Sequence, residues 1–311
     1  MKIKKPKFWD YAEPNFLSYL LLPLTFPIIL NNFFLKKKIQ STQKIKKICV
    51  GNIYVGGTAK TPLTIKIYEI IKNLKYKTAT IKKFYNDQVD EQEILESKTI
   101  LYCAKNRNLA LNQAIKDNID VVIFDDGLQD KSVSYDLSFV CFNNIKWIGN
   151  GFLIPAGPLR EKKESISKYD AVFLNGNEHD NSNIKSLIKK YNKDIPIFEA
   201  IYEPININQF DVNNEYLIFS GIGNPESFKE TLINNKFKIV KEIIFPDHYQ
   251  YTTNDINNIK SEARKLNAQI LTTEKDYTKI NSNINNDIKF LKINLNIKEE
   301  QKLIKYLKLH I

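Results

Sequence analysis

At 311 residues and 43% apolar content the chain is long enough for two ordinary domains and for a sizeable core, which excludes a disordered protein. Its net charge of +11 is carried by lysine, the only arginines being Arg107, Arg160 and Arg264, and favours anionic partners: nucleic acid, phospholipid headgroups or phosphorylated substrates. No basic stripe interleaved with aromatics, no zinc-ligand spacing and no recognition-helix pattern occurs, so nucleic acid is set aside.

The first predicted element is the apolar run at 16–30, "FLSYLLLPLTFPIIL". Its 15 residues fall short of the roughly 20 that a helix needs to cross a hydrocarbon core, and Pro23 and Pro27 interrupt it. Lys2, Lys4, Lys5 and Lys7 precede it, and Lys36, Lys37 and Lys38 follow. With Phe8, Trp9, Tyr11 and Tyr19 beside it, residues 1–35 read as a segment lying in a membrane interface, a buried core helix being the competing reading. The chain runs on as "NNFFLKKK" with no small-residue cleavage site, which sets aside a secretory signal.

Short β-branched runs then alternate with helix-like segments. Strands are predicted at 45–51, 78–82, 99–103, 120–125, 137–142 and 171–174, with helices after Lys60 and at 108–117, which implies a parallel sheet with helices on both faces. Cys49, Cys103 and Cys141 lie in such apolar runs and are expected to be buried and reduced, as suits a cytoplasmic enzyme.

Between the first strand and its helix stands "VGNIYVGGTAKTP". Gly56, Gly57, Thr58, Ala59, Lys60 and Thr61 have nearly the form of a phosphate-binding loop: backbone N–H groups surround the phosphates, the lysine reaches their outer oxygens, and the hydroxyl helps to hold magnesium. Tyr54 occupies the first glycine position of the usual pattern and Ala59 the second; a positive φ at Ala59 would cost on the order of 1–2 kcal/mol. An ordinary glycine-rich turn is the alternative.

The segment at 121–130, "VVIFDDGLQD", ends an apolar strand in Asp125 and Asp126, at the carboxyl edge where parallel sheets bind ligands and where magnesium finds hard oxygens. Neighbouring strand residues point to opposite faces, so the two aspartates share one job only if the chain turns at Gly127. Next, "GNGFLIPAGPLRE" at 149–161 is stiff yet irregular and suits the presentation of Arg160 to a phosphate and Glu161 to a metal. Arg107 and Arg160 both stand beside motifs in a lysine-rich chain, which suits bidentate phosphate recognition.

Polar residues at 202–214 mark a boundary between a domain at 36–205 and a smaller α/β domain at 206–311. In the latter, strands are predicted at 216–219, 237–245, 269–272 and 288–293, and helices at 225–234, 254–266 and 298–309.

Taken in order, "VGNIYVGGTAKTP", "DDGLQ", "GNGFLIPAGPLRE", "FSGIGNPESF", "FPDHYQYT" and "LTTEKD" resemble the tetraacyldisaccharide 4'-kinase (lipid A 4'-kinase) family over nearly the whole chain. The resemblance implies a P-loop-type α/β fold and transfer of the γ-phosphate of ATP, with Mg2+, to the 4'-hydroxyl of a tetraacylated glucosamine disaccharide 1-phosphate. The place implied is the cytoplasmic face of the bacterial inner membrane, the protein lying on an anionic surface as a peripheral or monotopic enzyme. Carried over by motif, Asn52, Gly56, Gly57, Thr58, Ala59, Lys60 and Thr61 bind the nucleotide; Thr61, Asp125, Asp126 and Glu161 serve the metal; Arg107 and Arg160 contact phosphate; Asp90 and His248 form a catalytic pair. This chain departs from the family at Val89, where glycine usually precedes the aspartate, at "KKFYND", which replaces an Arg-Gly-Tyr motif, and at Asp130 and Tyr249, where histidines are usual. These departures admit one alternative, a weakly active or non-catalytic nucleotide-binding membrane protein. A GTPase is set aside because no Asn-Lys-x-Asp segment occurs.

Overall fold

The computed structural model describes residues 5–34, 45–86, 88–176 and 178–311. Two short helices, α1 (Phe16–Leu21) and α2 (Phe26–Phe34), come first, joined by a 3-10 turn that starts where Pro23 removes a backbone donor. Lys2, Lys4, Lys36, Lys37 and Lys38 lie outside the described residues.

The chain then runs β1 (Lys46–Gly51), α3 (Lys60–Asn73), β2 (Thr78–Lys83), α4 (Val89–Lys98), β3 (Leu101–Ala104), α5 (Arg107–Lys116) and β4 (Val121–Asp125). It continues through β5 (Leu137–Asn143), β6 (Ala171–Gly176), α6 (Ser182–Tyr191) and β7 (Ile197–Pro204). These strands form one sheet in the order β7-β6-β5-β1-β4-β2-β3, with every neighbouring pair parallel. Strand periodicity sends Ile48 and Val50 to one face, against Leu63 and Ile67 of α3, and Cys49 to the other, with Phe124 and Ala114 of α5. Both faces are covered, and the strands accordingly read as unbroken apolar runs.

A second sheet follows: β8 (Glu215–Ser220), α7 (Pro225–Asn234), β9 (Lys238–Ile244), α8 (Thr253–Lys265), β10 (Gln269–Thr273), α9 (Glu274–Tyr277) and β11 (Ile288–Leu291), in the parallel order β11-β10-β8-β9. The last two elements, β12 (Ile293–Ile297) and α10 (Glu300–His310), return to the large sheet. There β12 pairs antiparallel with β7, and Leu303 and Leu307 of α10 enter the core beside Phe139 and Phe173. The run expected as a single strand at 288–293 thus turns at Lys292 and serves two sheets, and the closing helix packs on the large sheet rather than the small one. Likewise β7 reaches Pro204, within the segment read as a linker.

Cys49 and Cys141 are buried, but Cys103 is exposed. The correction has a simple cause: β3 is the edge of the large sheet, so its residues lack a neighbouring strand on one side.

Candidate active site

The carboxyl ends of strands in both sheets converge, so two loop sets of the kind that bind ligands in parallel sheets face each other. Gly57, after β1, and Gly223, after β8, touch backbone to backbone; a Cβ on Gly223 would lie 2.5 Å from the Gly57 nitrogen.

The phosphate loop spans the gap between β1 and α3. Asn52 props it from within, its amide donating to Thr58 Oγ1 at 2.9 Å, while the Asn175 amide at the end of β6 donates to the Thr58 carbonyl at 2.8 Å. Ala59 adopts the left-handed conformation, φ 59° and ψ 29°, directly before Lys60 opens α3. Its methyl packs in the core with Leu63, contacts that offset part of the strain. Tyr54, in the place of the first glycine, has a local reason too: its buried hydroxyl donates to the Asp10 carboxylate and accepts from Lys5, tying the loop to the N-terminal segment.

At the end of β4 the two aspartates part company. Asp125, fully buried, accepts from Lys82 Nζ at 2.8 Å, Thr61 Oγ1 at 3.1 Å and Thr64 Oγ1 at 3.3 Å. Lys82 is equally buried and also meets Glu91 at 2.6 Å. Burial alone would lower its pKa, but Asp125 and Glu91 outweigh that and hold the ammonium above the ordinary lysine range. The chain turns at Asp126 itself (φ 52°), one residue earlier than Gly127, which brings the Asp126 carboxylate to Arg160 Nη1 at 3.2 Å and Lys60 Nζ at 3.9 Å. Burial pushes the Asp126 pKa up, and Lys60 and Arg160 more than cancel it, leaving the carboxyl below its usual range.

Arg107 is engaged by the protein itself. Its guanidinium donates to Asp130 at 2.9 Å and to the Asp126 carbonyl at 2.6 Å, so it braces the Asp125–Asp126 turn from behind. Asp130 is thereby the counter-ion of a buried arginine. Glu161 accepts from Gln129 at 2.8 Å and from the Tyr169 hydroxyl at 3.0 Å; Gln129 also donates to the Asn52 carbonyl at 3.0 Å and accepts from Arg160 at 3.2 Å. The motif glutamine therefore links phosphate loop, arginine and glutamate, a role that sequence reading missed.

Across the cleft stand the remaining pair. Asp90, in the first turn of α4, receives His248 Nδ1 at 3.0 Å and 3.1 Å on its two oxygens. His248 has φ 56°, and its N–H donates to the Gly221 carbonyl at 3.2 Å, which fixes the ring's approach. Lys275 and Lys279 flank Asp90 at 3.4 Å and 3.2 Å. Burial would raise the Asp90 pKa, but the His248 hydrogen bond and the two lysines hold it well below the usual carboxylate range. Sequence reading paired Asp90 with His248 and did not include Lys82, Glu91, Lys275 or Lys279.

Glu91 supplies a pH test. Burial raises its pKa, yet Lys82, Lys275 and Lys60 bring it from 4.5 down to about 2. The folded state therefore binds fewer protons than the unfolded one, so the stabilisation is full above about pH 4.5 and is lost as pH falls through about 2. Glu91→Gln should lower Tm at neutral pH, and melts at successively lower pH should show its gap from the wild type narrowing below pH 4.5; a constant gap would rule out the ion pairs as its origin.

A phosphate loop backed by strand-end carboxylates, with an acid–histidine pair formed where a second sheet meets the first, defines a nucleotide-dependent phosphotransferase of the phosphate-loop class. Comparison with known proteins narrows this. The family model described as tetraacyldisaccharide-1-P 4'-kinase, LpxK, matches residues 20–99 and 90–311. A protein of Pelagibacter ubique named tetraacyldisaccharide 4'-kinase is 49% identical over 303 residues, covering 97% of this chain and 96% of that one; one of the same name from Rickettsia canadensis is 34% identical, covering 96% and 94%. The crystal structure of LpxK from Aquifex aeolicus in complex with ATP shares the fold, with a TM-score of 0.68 over 95% of this chain and 100% of that chain at 22% identity. The chain belongs to the tetraacyldisaccharide-1-P 4'-kinase family.

Proposed function

We propose that this protein transfers the γ-phosphate of ATP to the 4'-hydroxyl of tetraacyldisaccharide 1-phosphate at a membrane surface. The observation that carries the proposal is the Asp90–His248 contact, at 3.0 Å, formed between the two sheets whose loops also meet at Gly57 and Gly223. A sugar hydroxyl is a weak nucleophile near neutral pH, so a group that accepts its proton must stand at the acceptor side of the γ-phosphate. The hydroxyl oxygen bonds to phosphorus as the bond to the β-phosphate oxygen breaks; ADP leaves, and the hydroxyl proton passes to the pair. On this reading Lys60 and Arg160, which meet at Asp126, answer the charge on the transferring group.

The oxygens present suit Mg2+. Among the described residues no three His, Cys, Asp or Glu form a cage, and magnesium in nucleotide sites takes only one or two protein groups, the rest being phosphate and water. Asp125 is fully buried and engaged by Lys82, Thr61 and Thr64, so it would orient the Thr61 hydroxyl from behind, whereas Asp126 is the more exposed of the two; Glu161 would act through Gln129. When bound, the ion would neutralise the outer phosphates. Of the departures from the family pattern, Ala59, Tyr54 and Asp130 each have a structural partner, which counts against the reading of a weakened enzyme at those positions.

The lipid side rests on the N-terminal helices. Ser18 and Trp9 are buried, Ser18 Oγ accepting from Asn150 at 2.9 Å and Trp9 Nε1 donating to the Pro155 carbonyl at 3.0 Å, so the segment is seated on the loop that carries Arg160. Phe16 (78% exposed), Leu17, Tyr19, Leu20, Leu24 and Phe26 face outward, a cluster too apolar for an ordinary water-facing surface. Among the described residues no helix is long and apolar enough to cross a membrane. Changing Leu20 and Leu24 together to Glu should shift the protein from anionic vesicles to the supernatant in a sedimentation assay without lowering Tm, because both side chains are exposed. Unchanged partitioning would remove the membrane-surface reading. Truncation is a poorer test, since it also removes Trp9 and Ser18.

A further inference from the structure

We infer that Lys279 is a positioning residue for the phosphoryl transfer, holding both members of the Asp90–His248 pair in register from beneath. The inference rests on the kinase reading above. Lys279 follows α9, and its side chain is only 2% exposed. An ammonium has three N–H donors, and here three acceptors surround it: Asp90 Oδ2 at 3.2 Å, Asp276 Oδ1 at 3.1 Å and the Gly221 carbonyl at 3.4 Å.

Each acceptor has a second task. The Gly221 carbonyl also receives the His248 N–H at 3.2 Å, so the same oxygen that binds Lys279 sets the histidine backbone. Asp276, fully buried, accepts from the Gly221 N–H at 3.0 Å and from Thr273 Oγ1 at 2.7 Å, so Gly221 is gripped on both its polar atoms. Asp90 belongs to α4 of the large sheet, whereas every other member of the network belongs to the small one. Lys279 is thus the buried charge by which the small sheet holds the catalytic carboxylate and, through one intervening carbonyl, its histidine.

Lys275 also approaches Asp90, at 3.4 Å, but it is shared with Glu91 at 3.6 Å and Asp247 at 3.4 Å and is ten times as exposed, 20% against 2%. The groups facing Asp90 are therefore the His248 ring and the Lys275 and Lys279 ammoniums, with Glu91, Asp247 and Asp276 as the acids beside them. Of the two ammoniums at Asp90, Lys279 alone has only buried partners, so its removal should be felt more there than that of Lys275. The i, i+3 spacing of Asp276 and Lys279 is the only trace of this in the sequence, and an isolated pair of that kind is common on helices.

The test compares Lys279→Gln, which keeps donors for Gly221 and Asp276 without the charge, with Lys279→Met and Lys275→Met, in the full-length protein with ATP, Mg2+ and the disaccharide acceptor in mixed micelles. For both Lys279 variants kcat should fall roughly 10–100-fold, part of the acid–base contribution of roughly 10²–10⁴, with the KM for ATP unchanged. The acid limb of the pH profile should move to higher pH, because loss of a neighbouring cation makes the Asp90 carboxyl easier to protonate. Lys275→Met should change each quantity less. Lys279 variants whose activity, scaled by the fraction folded in thermal melts, equals the wild type with an unmoved acid limb would overturn the inference. A wild type that transfers no phosphate would instead count against the kinase reading. In that event, carbon-13 titration of the Asp90 carboxyl decides for Lys279 separately: a higher midpoint in Lys279→Gln supports its grip on Asp90, and coincident curves refute it.

Discussion

Asp90→Asn and His248→Ala should each lower kcat by roughly 10²–10⁴, with the KM for ATP nearly unchanged, and the double variant should lose far less than the product of the two. The contact at 3.0 Å makes the two side chains one device, and removal of either member disables it, so the second removal has little left to destroy. Asn at position 90 keeps the shape while removing the charge that holds the imidazole. Ala at position 248 leaves Asp90 among Lys275 and Lys279, still ionised but without its partner toward the acceptor. Losses that multiply, or a defect confined to ATP binding, would contradict the pair.

Lys60→Ala should abolish measurable transfer, a loss of at least roughly 10²–10³ in kcat by analogy with removal of a single preorganised donor to developing charge, while the protein remains folded. Lys60 is the first residue of α3, where a cation opposes the helix dipole by roughly 0.3–1 kcal/mol. Its nearest acid, Asp126 at 3.9 Å, keeps Arg160 when the lysine is gone. An unfavourably placed lysine retained at a helix start has its justification in a ligand. Equal transfer by the variant, or a loss fully accounted for by the fraction unfolded, would remove the phosphate-loop argument. Lys82→Met offers the contrast: it strands Asp125 without its buried counter-ion, so its chief effect should be on stability, a loss on the order of 3–5 kcal/mol.

What the sequence revealed follows from how local each signal is. The phosphate loop, the end of β4 and the loop at 149–161 are contiguous motifs, and Lys60, Asp125, Asp126 and Arg160 do come together. Asp90 and His248 were legible only through the family resemblance, since 158 residues separate them. The helix that carries Asp90 escaped prediction because "VDEQEILESK" has few apolar residues and buries Asp90 and Gln92 along with Leu95. Lys82 gave a fainter signal, a lysine at the carboxyl end of an apolar strand, where a buried charge must find a partner. For β12 and α10 the apolar spacing announces a strand and a helix but carries no information on which sheet receives them. Only the antiparallel register with β7 settles that.

The most direct test of the central claim is incubation of the purified protein with ATP, Mg2+ and tetraacyldisaccharide 1-phosphate in mixed micelles, followed by tandem mass spectrometry of the lipid. The expected product carries one added phosphate on the 4'-hydroxyl, with ADP formed in equal amount and neither product formed by Lys60→Ala. ATP hydrolysis that leaves the lipid unchanged, or a phosphate added at another position, would contradict the account.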